Sequence, residues 1–176
     1  MNQLHVAALI AAVVLPFGTV SLFGAPEMPQ AGQEAPNFTL PSQDGTSISL
    51  NSFRGKWVVL YFYPKDNTPG CTIEAHNFQR DLAKYDQENA VIVGVSVDST
   101  GSHQDFCAKQ GLTFKLLSDT GKQVVDQYGS LRPNGIAFRN TFLVNPEGKI
   151  VKVWTGVNPS VHSEEVLAAL SGFEKK

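Results

Sequence analysis

The sequence predicts a single α/β domain in which a mixed β-sheet carries helices on both of its faces. Two near-continuous apolar runs, at 57–63 and 90–97, are typical of strands that are buried on both sides. Between them, apolar residues recur at spacings of three to five, which indicates a helix over 71–88. Near the C-terminus, two apolar segments flank the turn sequence at 145–148, as in a hairpin. Helices that alternate with buried strands are the pattern of a layered α/β domain.

The remaining elements follow from the same periodicities and from the turn residues between them. The predicted strands cover 36–40, 47–50, 57–63, 90–97, 114–117, 140–144 and 149–154. The predicted helices are a single turn at 51–53 and longer helices at 71–88, 102–110, 120–128 and 161–170, the last capped by Ser160. This order fits a thioredoxin-like fold. In such sheets the active group tends to lie at the C-terminal ends of strands.

Composition limits the function classes. The chain has 176 residues, of which 42% are hydrophobic and 17% charged, with a net charge of −2, and this suits one globular domain. No basic stretch indicates nucleic acid, and nothing implies a metal, haem or flavin. The two cysteines, Cys71 and Cys107, are too few for a disulfide scaffold and lack both zinc-site spacing and a C-x-x-C motif. Whether they lie close enough to form a single bridge is left open by the sequence.

The first 25 residues are predicted to lie outside the domain. From 4 to 25 the chain is mostly apolar and has no acidic or basic residue except His5, as in a signal peptide or an uncleaved membrane anchor. No Lys or Arg precedes this stretch and no clear A-x-A cleavage site follows it, so a wrongly assigned start is a third possibility. We expect an exported or membrane-anchored protein, in the periplasm or an equivalent lumen, or a cytoplasmic one if the start is wrong. A linker at 26–33 and a domain at 34–176 complete the prediction.

Cys71 is the first candidate for chemistry. It ends a turn-rich loop that follows the strand at 57–63, at the position where the helical pattern begins. Unpaired backbone N–H groups and the positive end of the helix dipole favour thiolate over thiol at such a position, and the thiolate is the nucleophile. Thr68 adds a hydroxyl group three residues before the sulfur. The loop therefore predicts a cysteine-based enzyme.

The residues around Cys71 resemble the active-site signature of the peroxiredoxins. Pro64, Thr68 and Cys71 form P-x-x-x-T-x-x-C, and the surrounding string is similar to the Q-type (bacterioferritin comigratory protein) subfamily. That string is Tyr61-Phe62-Tyr63-Pro64-Lys65-Asp66-Asn67-Thr68-Pro69-Gly70-Cys71-Thr72, followed by Glu74. Further matches lie at 94–98, Phe106, Lys109, 116–119 and 139–144. The resemblance covers about residues 30 to 172, which is the whole predicted domain.

The resemblance implies a thiol peroxidase that reduces hydrogen peroxide and organic hydroperoxides without a cofactor. Cys71 matches the peroxidatic cysteine, Thr68 matches the residue that bonds to the thiolate and the peroxide, and Pro64 matches the residue that shields the sulfur from water. Arg139 matches a cation beside the pocket. A guanidinium stays charged and has several directed donors, so it suits both the thiolate and the peroxide. A thioredoxin-type reductant and a monomeric state are also implied.

Cys107 matches a resolving cysteine. Many Q-type members carry that cysteine five residues after the peroxidatic one, but here His76 occupies the position. A second group places it on the next helix, as Cys107 is placed, where it would condense with a Cys71 sulfenate after local unfolding. Thioredoxin would then reduce the disulfide. The alternative is a one-cysteine peroxidase in which Cys107 is a small buried hydrophobic residue. We expect His76, His103 and His162 to be solvated helix residues.

Two other function classes remain open. One is a thiol–disulfide oxidoreductase on the same fold, which the missing C-x-x-C motif disfavours. The other is a non-catalytic thioredoxin-like binding module, which the intact set of Pro64, Thr68, Cys71 and Arg139 disfavours.

Overall fold

In the computed structural model, which describes residues 27–174, the chain folds around a five-stranded mixed sheet. The strands are β1 (Thr39–Pro41), β2 (Ser47–Ser49), β3 (Trp57–Phe62), β4 (Ala90–Ser96), β5 (Lys115–Ser118), β6 (Asn140–Val144) and β7 (Ile150–Trp154). The helices are α1 (Pro69–Gln87), α2 (Thr100–Gln110), α3 (Gln123–Gln127) and α4 (His162–Glu174), and a 3-10 turn spans Leu50–Phe53. The predicted α/β class is confirmed.

Strand β3 lies at the centre of the sheet, whose order is β5-β4-β3-β6-β7. It pairs in parallel with β4 and antiparallel with β6, while β1 and β2 form a separate two-stranded ribbon. The antiparallel register places Phe62 opposite Asn140. As a result, Arg139, which immediately precedes β6, lies beside the loop that leaves the C-terminal end of β3.

Alternation along β3 separates two hydrophobic layers. Val58, Leu60 and Phe62 belong to one buried cluster, and Val59 and Tyr61 belong to the other, as expected for side chains that point to opposite faces of a sheet. Helix α3 packs in the first layer, whereas α1, α2 and α4 all contribute to the second. The predicted helices on both faces are therefore confirmed. Both cysteines belong to the second layer.

A glycine permits close packing where β4 crosses this second layer. A Cβ atom at Gly94 would lie 2.7 Å from Cζ of Tyr61 and 2.7 Å from Cδ2 of Leu116. Both distances are shorter than real Cβ contacts. Because glycine lacks this atom, the Tyr61 ring can lie directly against the strand.

Several element boundaries differ from the prediction, and two of the differences have a local cause. Helix α1 begins at Pro69, two residues before the predicted start, because the fixed φ of proline suits the first helical position. Helix α3 is only five residues long, since Lys122 before it has a left-handed φ of 62°. Helix α4 starts at His162, one residue later than predicted, and extends to Glu174.

The segment before the domain runs alongside β7. The Gly32 amide donates to the Ile150 carbonyl at 2.7 Å, and the Ile150 amide donates to the Gln33 carbonyl at 2.9 Å. Within residues 27–174, no helix is long and apolar enough to cross a membrane. The predicted signal peptide or anchor at 1–25 lies outside the described residues, and its role in localisation stays a prediction.

Candidate active site

The loop between β3 and α1, residues 63–68, places Cys71 in the first turn of a helix. Thr68 is the N-cap residue, with an extended backbone, and its carbonyl accepts a bond of 2.9 Å from the Thr72 amide. Cys71 is the third residue of α1 and is only 1% exposed. Its sulfur therefore lies within the turn whose amides have no intrahelical acceptor, as the sequence predicted.

Arg139 reaches Cys71 from the neighbouring strand. Its Nη2 donates to Cys71 Sγ at 3.3 Å, which joins two of the residues that the sequence selected. Gly70 permits this approach, because a Cβ atom there would lie 3.3 Å from Nη2 of Arg139 and 3.7 Å from Cγ of Pro159. Asn77 holds the Pro159 segment against α1 by donating to the carbonyls of Pro159 and Ser160, at 3.0 and 3.1 Å. The guanidinium is thus enclosed between α1 and the segment that leads into α4.

Glu74 fixes the other arm of the guanidinium. Arg139 Nη1 donates to Oε2 of Glu74, and the Glu74 side chain is 1% exposed. Burial raises the pKa of the Glu74 carboxyl to about 7, although the charge and hydrogen bond of Arg139 offset part of this effect. The second oxygen, Oε1, is buried and has no hydrogen-bond partner within residues 27–174. No role for Glu74 was predicted from the sequence. Its position three residues after Cys71, on the same helix face, is the signal that could have found it.

Thr68 and Pro64 lie in the same loop but make no direct bond to the sulfur. Thr68 Oγ1 donates to the Lys65 carbonyl at 2.9 Å, so its proton is engaged within the loop and its lone pairs are free to accept. Pro64 is half-buried immediately after Tyr63, which is fully enclosed. The predicted contacts of Thr68 and Pro64 with a thiolate or a peroxide stay predictions.

Cys107 lies on α2 and belongs to the same buried cluster as Cys71. It is 8% exposed, and burial, assisted by the charge of Asp66, raises the pKa of its thiol to about 11, with Lys115 acting weakly in the opposite direction. Tyr61 belongs to the same buried cluster as both cysteines, and its burial, with the charges of Glu74, Cys71 and Cys107, raises the pKa of its hydroxyl. Both cysteines are free thiols, so the predicted pairing stays a prediction.

Two of the three histidine predictions are wrong. His76 is exposed, as expected, but His103 and His162 are both 0% exposed. His162 Nε2 lies 2.8 Å from Oγ1 of Thr141, and Nδ1 lies 3.3 Å from Oε2 of Glu165. His103 contacts a carboxylate in the loop at 63–68. Burial of a polar ring is tolerated in both cases because each ring nitrogen has a partner.

The chain is similar to known proteins over most of its length. A model of the AhpC/TSA family matches residues 31–153. Peroxiredoxin Bcp of Xanthomonas campestris is 40% identical over 157 residues, which cover 85% of this chain and 96% of that protein. Peroxiredoxin Bcp of Bacillus subtilis is 38% identical over 155 residues, which cover 84% and 98%.

Solved structures agree with these matches. A cysteine-to-serine mutant of PrxQ from Xylella fastidiosa superposes with a TM-score of 0.80 at 36% identity, covering 84% of this chain and 99% of its own. The bacterioferritin comigratory protein of X. campestris, solved as trapped intermediate and ligand complexes in work on its alkyl peroxide reduction activity, gives a TM-score of 0.77 at 38% identity, covering 82% and 99%.

The sequence matches and the structural matches select the same group of proteins, and the family match includes the loop, the helix and the strand that bring Cys71 and Arg139 together. The chain therefore belongs to the AhpC/TSA family and is a peroxiredoxin of the Q, or bacterioferritin comigratory protein, group, which makes it a thiol peroxidase.

Proposed function

We propose that Cys71 is the peroxidatic nucleophile of this peroxidase. The observation that supports this most strongly is the 3.3 Å bond from Arg139 Nη2 to Cys71 Sγ in the first turn of α1. The thiolate attacks the terminal oxygen of the hydroperoxide, an S–O bond forms and the O–O bond breaks. The departing alkoxide or hydroxide takes up a proton, and Cys71 becomes a sulfenic acid. Both hydrogen peroxide and organic hydroperoxides suit this reaction. The alkyl peroxide activity of the X. campestris relative supports the second class.

Arg139 stabilises the charge that moves in this step. Negative charge passes from sulfur to the departing oxygen, and a fixed donor beside both atoms lowers the barrier. Because Glu74 engages Nη1, the guanidinium cannot rotate freely, and Nη2 stays directed at the sulfur. Thr68 contributes its free lone pairs as acceptors for the hydroperoxide proton, and Pro64 excludes water from the loop side.

Cys107 resolves the sulfenic acid in the second half of the proposed cycle. Its thiol condenses with Cys71–SOH, an S–S bond forms and water leaves, and a dithiol of the thioredoxin type then reduces the disulfide by exchange. Both sulfurs are buried, at 1% and 8% exposure, so this step requires local opening of α2 or of the start of α1. The raised pKa of Cys107 specifically favours an alternative, in which it is structural and an external thiol resolves Cys71.

The test compares the full chain with its Cys71→Ser and Cys107→Ser variants. Turnover of hydrogen peroxide and of an alkyl hydroperoxide is followed with thioredoxin, thioredoxin reductase and NADPH. Mass spectrometry after one equivalent of peroxide reports a Cys71–Cys107 disulfide. Loss of turnover in both variants, with the disulfide present in wild type, supports the two-cysteine cycle. Full turnover in Cys107→Ser assigns Cys107 a structural role, and activity that survives in Cys71→Ser refutes the assignment of the nucleophile.

A further inference from the structure

The loop at 63–68 is fastened to the Cys107 helix by a buried carboxylate. Asp66 is 5% exposed, and its Oδ1 accepts a bond of 2.7 Å from the Tyr63 hydroxyl. Its Oδ2 accepts from Ser102 Oγ at 2.7 Å and lies 2.8 Å from His103 Nδ1. Ser102 and His103 both belong to α2. A single carboxylate of the loop thus holds two consecutive residues of the helix.

His103 is the second α2 partner of this carboxylate. Its Nε2 lies 3.2 Å from the Leu117 carbonyl, and a carbonyl oxygen can only accept, so this nitrogen carries a proton. Its Nδ1 faces a carboxylate oxygen, which also accepts. The Tyr63 hydroxyl also lies 3.2 Å from Nδ1, so both ring nitrogens have partners outside α2. Burial alone would raise the pKa of the Asp66 carboxyl, but the hydrogen bond and charge of His103, together with the hydrogen bonds of Ser102 and Tyr63, outweigh it and hold the pKa below its ordinary value.

The positions of Asp66 and His103 in the sequence connect the pair to both sulfurs. Asp66 lies five residues before Cys71, in the loop that leads into α1. His103 lies four residues before Cys107, so the two side chains occupy the same face of α2 on consecutive turns. The Asp66 amide also donates to Oδ2 of Asp98 at 3.0 Å, which fixes the loop to the end of β4. Among the described residues, neither Asp66 nor His103 is hydrogen-bonded to Cys71 or Arg139.

We propose that Asp66 and His103 are positioning residues that hold α2 closed against the peroxide-reactive loop and thereby limit the rate at which Cys107 reaches the Cys71 sulfenic acid. This inference rests on the two-cysteine cycle proposed above. Opening of α2 must break the hydrogen bonds of Asp66 with Ser102 and His103, and that of His103 with the Leu117 carbonyl, before the sulfurs can meet. The attack on peroxide requires no such opening, because Cys71 in α1 and Arg139 before β6 are already in contact at 3.3 Å.

The closed state has a chemical consequence. While α2 stays closed, the sulfenic acid persists, and a second hydroperoxide can oxidise it to a sulfinic acid, in which a new S–O bond forms as the second O–O bond breaks. Weakening the Asp66 contacts therefore shortens the lifetime of the sulfenic acid. It also protects the enzyme from inactivation at high peroxide concentration.

The test uses Ser102→Ala and His103→Gln in the full chain, with Ser171→Ala as the matched control. Ser102→Ala removes one bond to Asp66 and leaves the helix cap intact, since the Ser102 amide still donates to Ser99 Oγ. The Ser102→Ala variant therefore still tests the proposal if His103→Gln fails to fold. Ser171 lies on α4, and its hydroxyl donates to Glu88, away from both cysteines.

Rapid quench with a sulfenic-acid trap and mass spectrometry measures the two steps separately. We expect sulfenic acid to form at the wild-type rate in Ser102→Ala, and the disulfide to form on the order of tenfold faster, the factor that corresponds to the loss of one hydrogen bond to a charged group. The sulfinic fraction at excess peroxide should fall accordingly. Equal disulfide rates in wild type, Ser102→Ala and Ser171→Ala overturn the proposal, as does a parallel loss of both steps. If the wild-type protein forms no disulfide, the two-cysteine cycle itself is refuted, and this measurement needs no variant.

Discussion

Replacement of Arg139 by methionine tests the core of the proposed chemistry, because this guanidinium contacts both the sulfur and the buried acid. Nη2 donates to Cys71 Sγ at 3.3 Å and Nη1 donates to Glu74. Removal of one fixed donor from a site of developing negative charge slows a reaction by about 10²- to 10³-fold. We therefore expect the second-order rate constant of Cys71 with hydrogen peroxide to fall by about that factor in Arg139→Met.

The same substitution should destabilise the fold only moderately. Breaking a buried ion pair and leaving one charge behind costs about 3–5 kcal/mol. However, burial already raises the pKa of Glu74 to about 7 with Arg139 in place, so without Arg139 this carboxyl takes up a proton near neutral pH. The remaining loss is an unsatisfied hydrogen-bonding group, which costs about 1–3 kcal/mol. We therefore expect the free energy of unfolding of Arg139→Met to be about 1–3 kcal/mol lower than that of wild type.

Stopped-flow kinetics of peroxide reaction and urea unfolding measure the two effects separately. Arg54→Met is the matched control, because Arg54 is an exposed arginine that pairs with Glu34 at 3.5 Å. The double variant Arg139→Met/Glu74→Gln removes the lone acid, and it should recover stability without recovering rate. A rate within threefold of wild type in Arg139→Met would refute the assigned role of the guanidinium. A double variant that regains rate would show that the loss arose from misfolding.

Two further predictions concern the stability of the domain. Burial raises the pKa of Glu74 from 4.5 to about 7, so the folded state binds this proton more tightly than the unfolded chain. The free energy of unfolding of wild type, relative to that of Glu74→Gln, should therefore fall by about 3 kcal/mol between pH 4.5 and 7, at about 1.36 kcal/mol per pKa unit. Urea titrations across that range test this, and a difference that does not change with pH contradicts it. Gly94→Ala should cost about 1–3 kcal/mol in urea unfolding, because its Cβ would lie 2.7 Å from atoms of Tyr61 and Leu116. Gly101→Ala is the control, since the nearest atom there is 3.9 Å away, and equal stability of the two variants would refute the packing argument.

The fold could be predicted from the sequence because its signals are local. Apolar runs bounded by turn residues marked β3 and β4, and the periodicity between them marked α1. The order of elements then limited the sheet to few topologies. A helix was predicted over 120–128, but its later start at Gln123 was not, because the left-handed backbone of Lys122 has no signature in the residue type and lysine rarely adopts a φ of 62°.

Cys71 could be predicted from its local position at a helix start, whereas Arg139 required the long-range information of the family resemblance. It placed Arg139 near Cys71 across 68 positions of sequence, and the 3.3 Å contact agrees. The resemblance implied no role for the histidines, and a histidine near a helix start has the local context of a surface residue. His103 is buried against Asp66, a partner that lies 37 positions earlier in the sequence. Pairing at that distance depends on the sheet topology, which local patterns do not encode.

Glu74 and Cys71 share a single guanidinium. A thiolate at Cys71 and a carboxylate at Glu74 compete for a single positive charge, because Nη1 and Nη2 of Arg139 serve one each. In a buried site, two negative charges around one cation leave an uncompensated charge, which is costly. The raised pKa of Glu74 lowers this cost, since a proton on its carboxyl lets Arg139 balance the thiolate alone. Glu74 thus does more than hold the guanidinium in place: a proton on its carboxyl leaves more of the Arg139 charge for the sulfur.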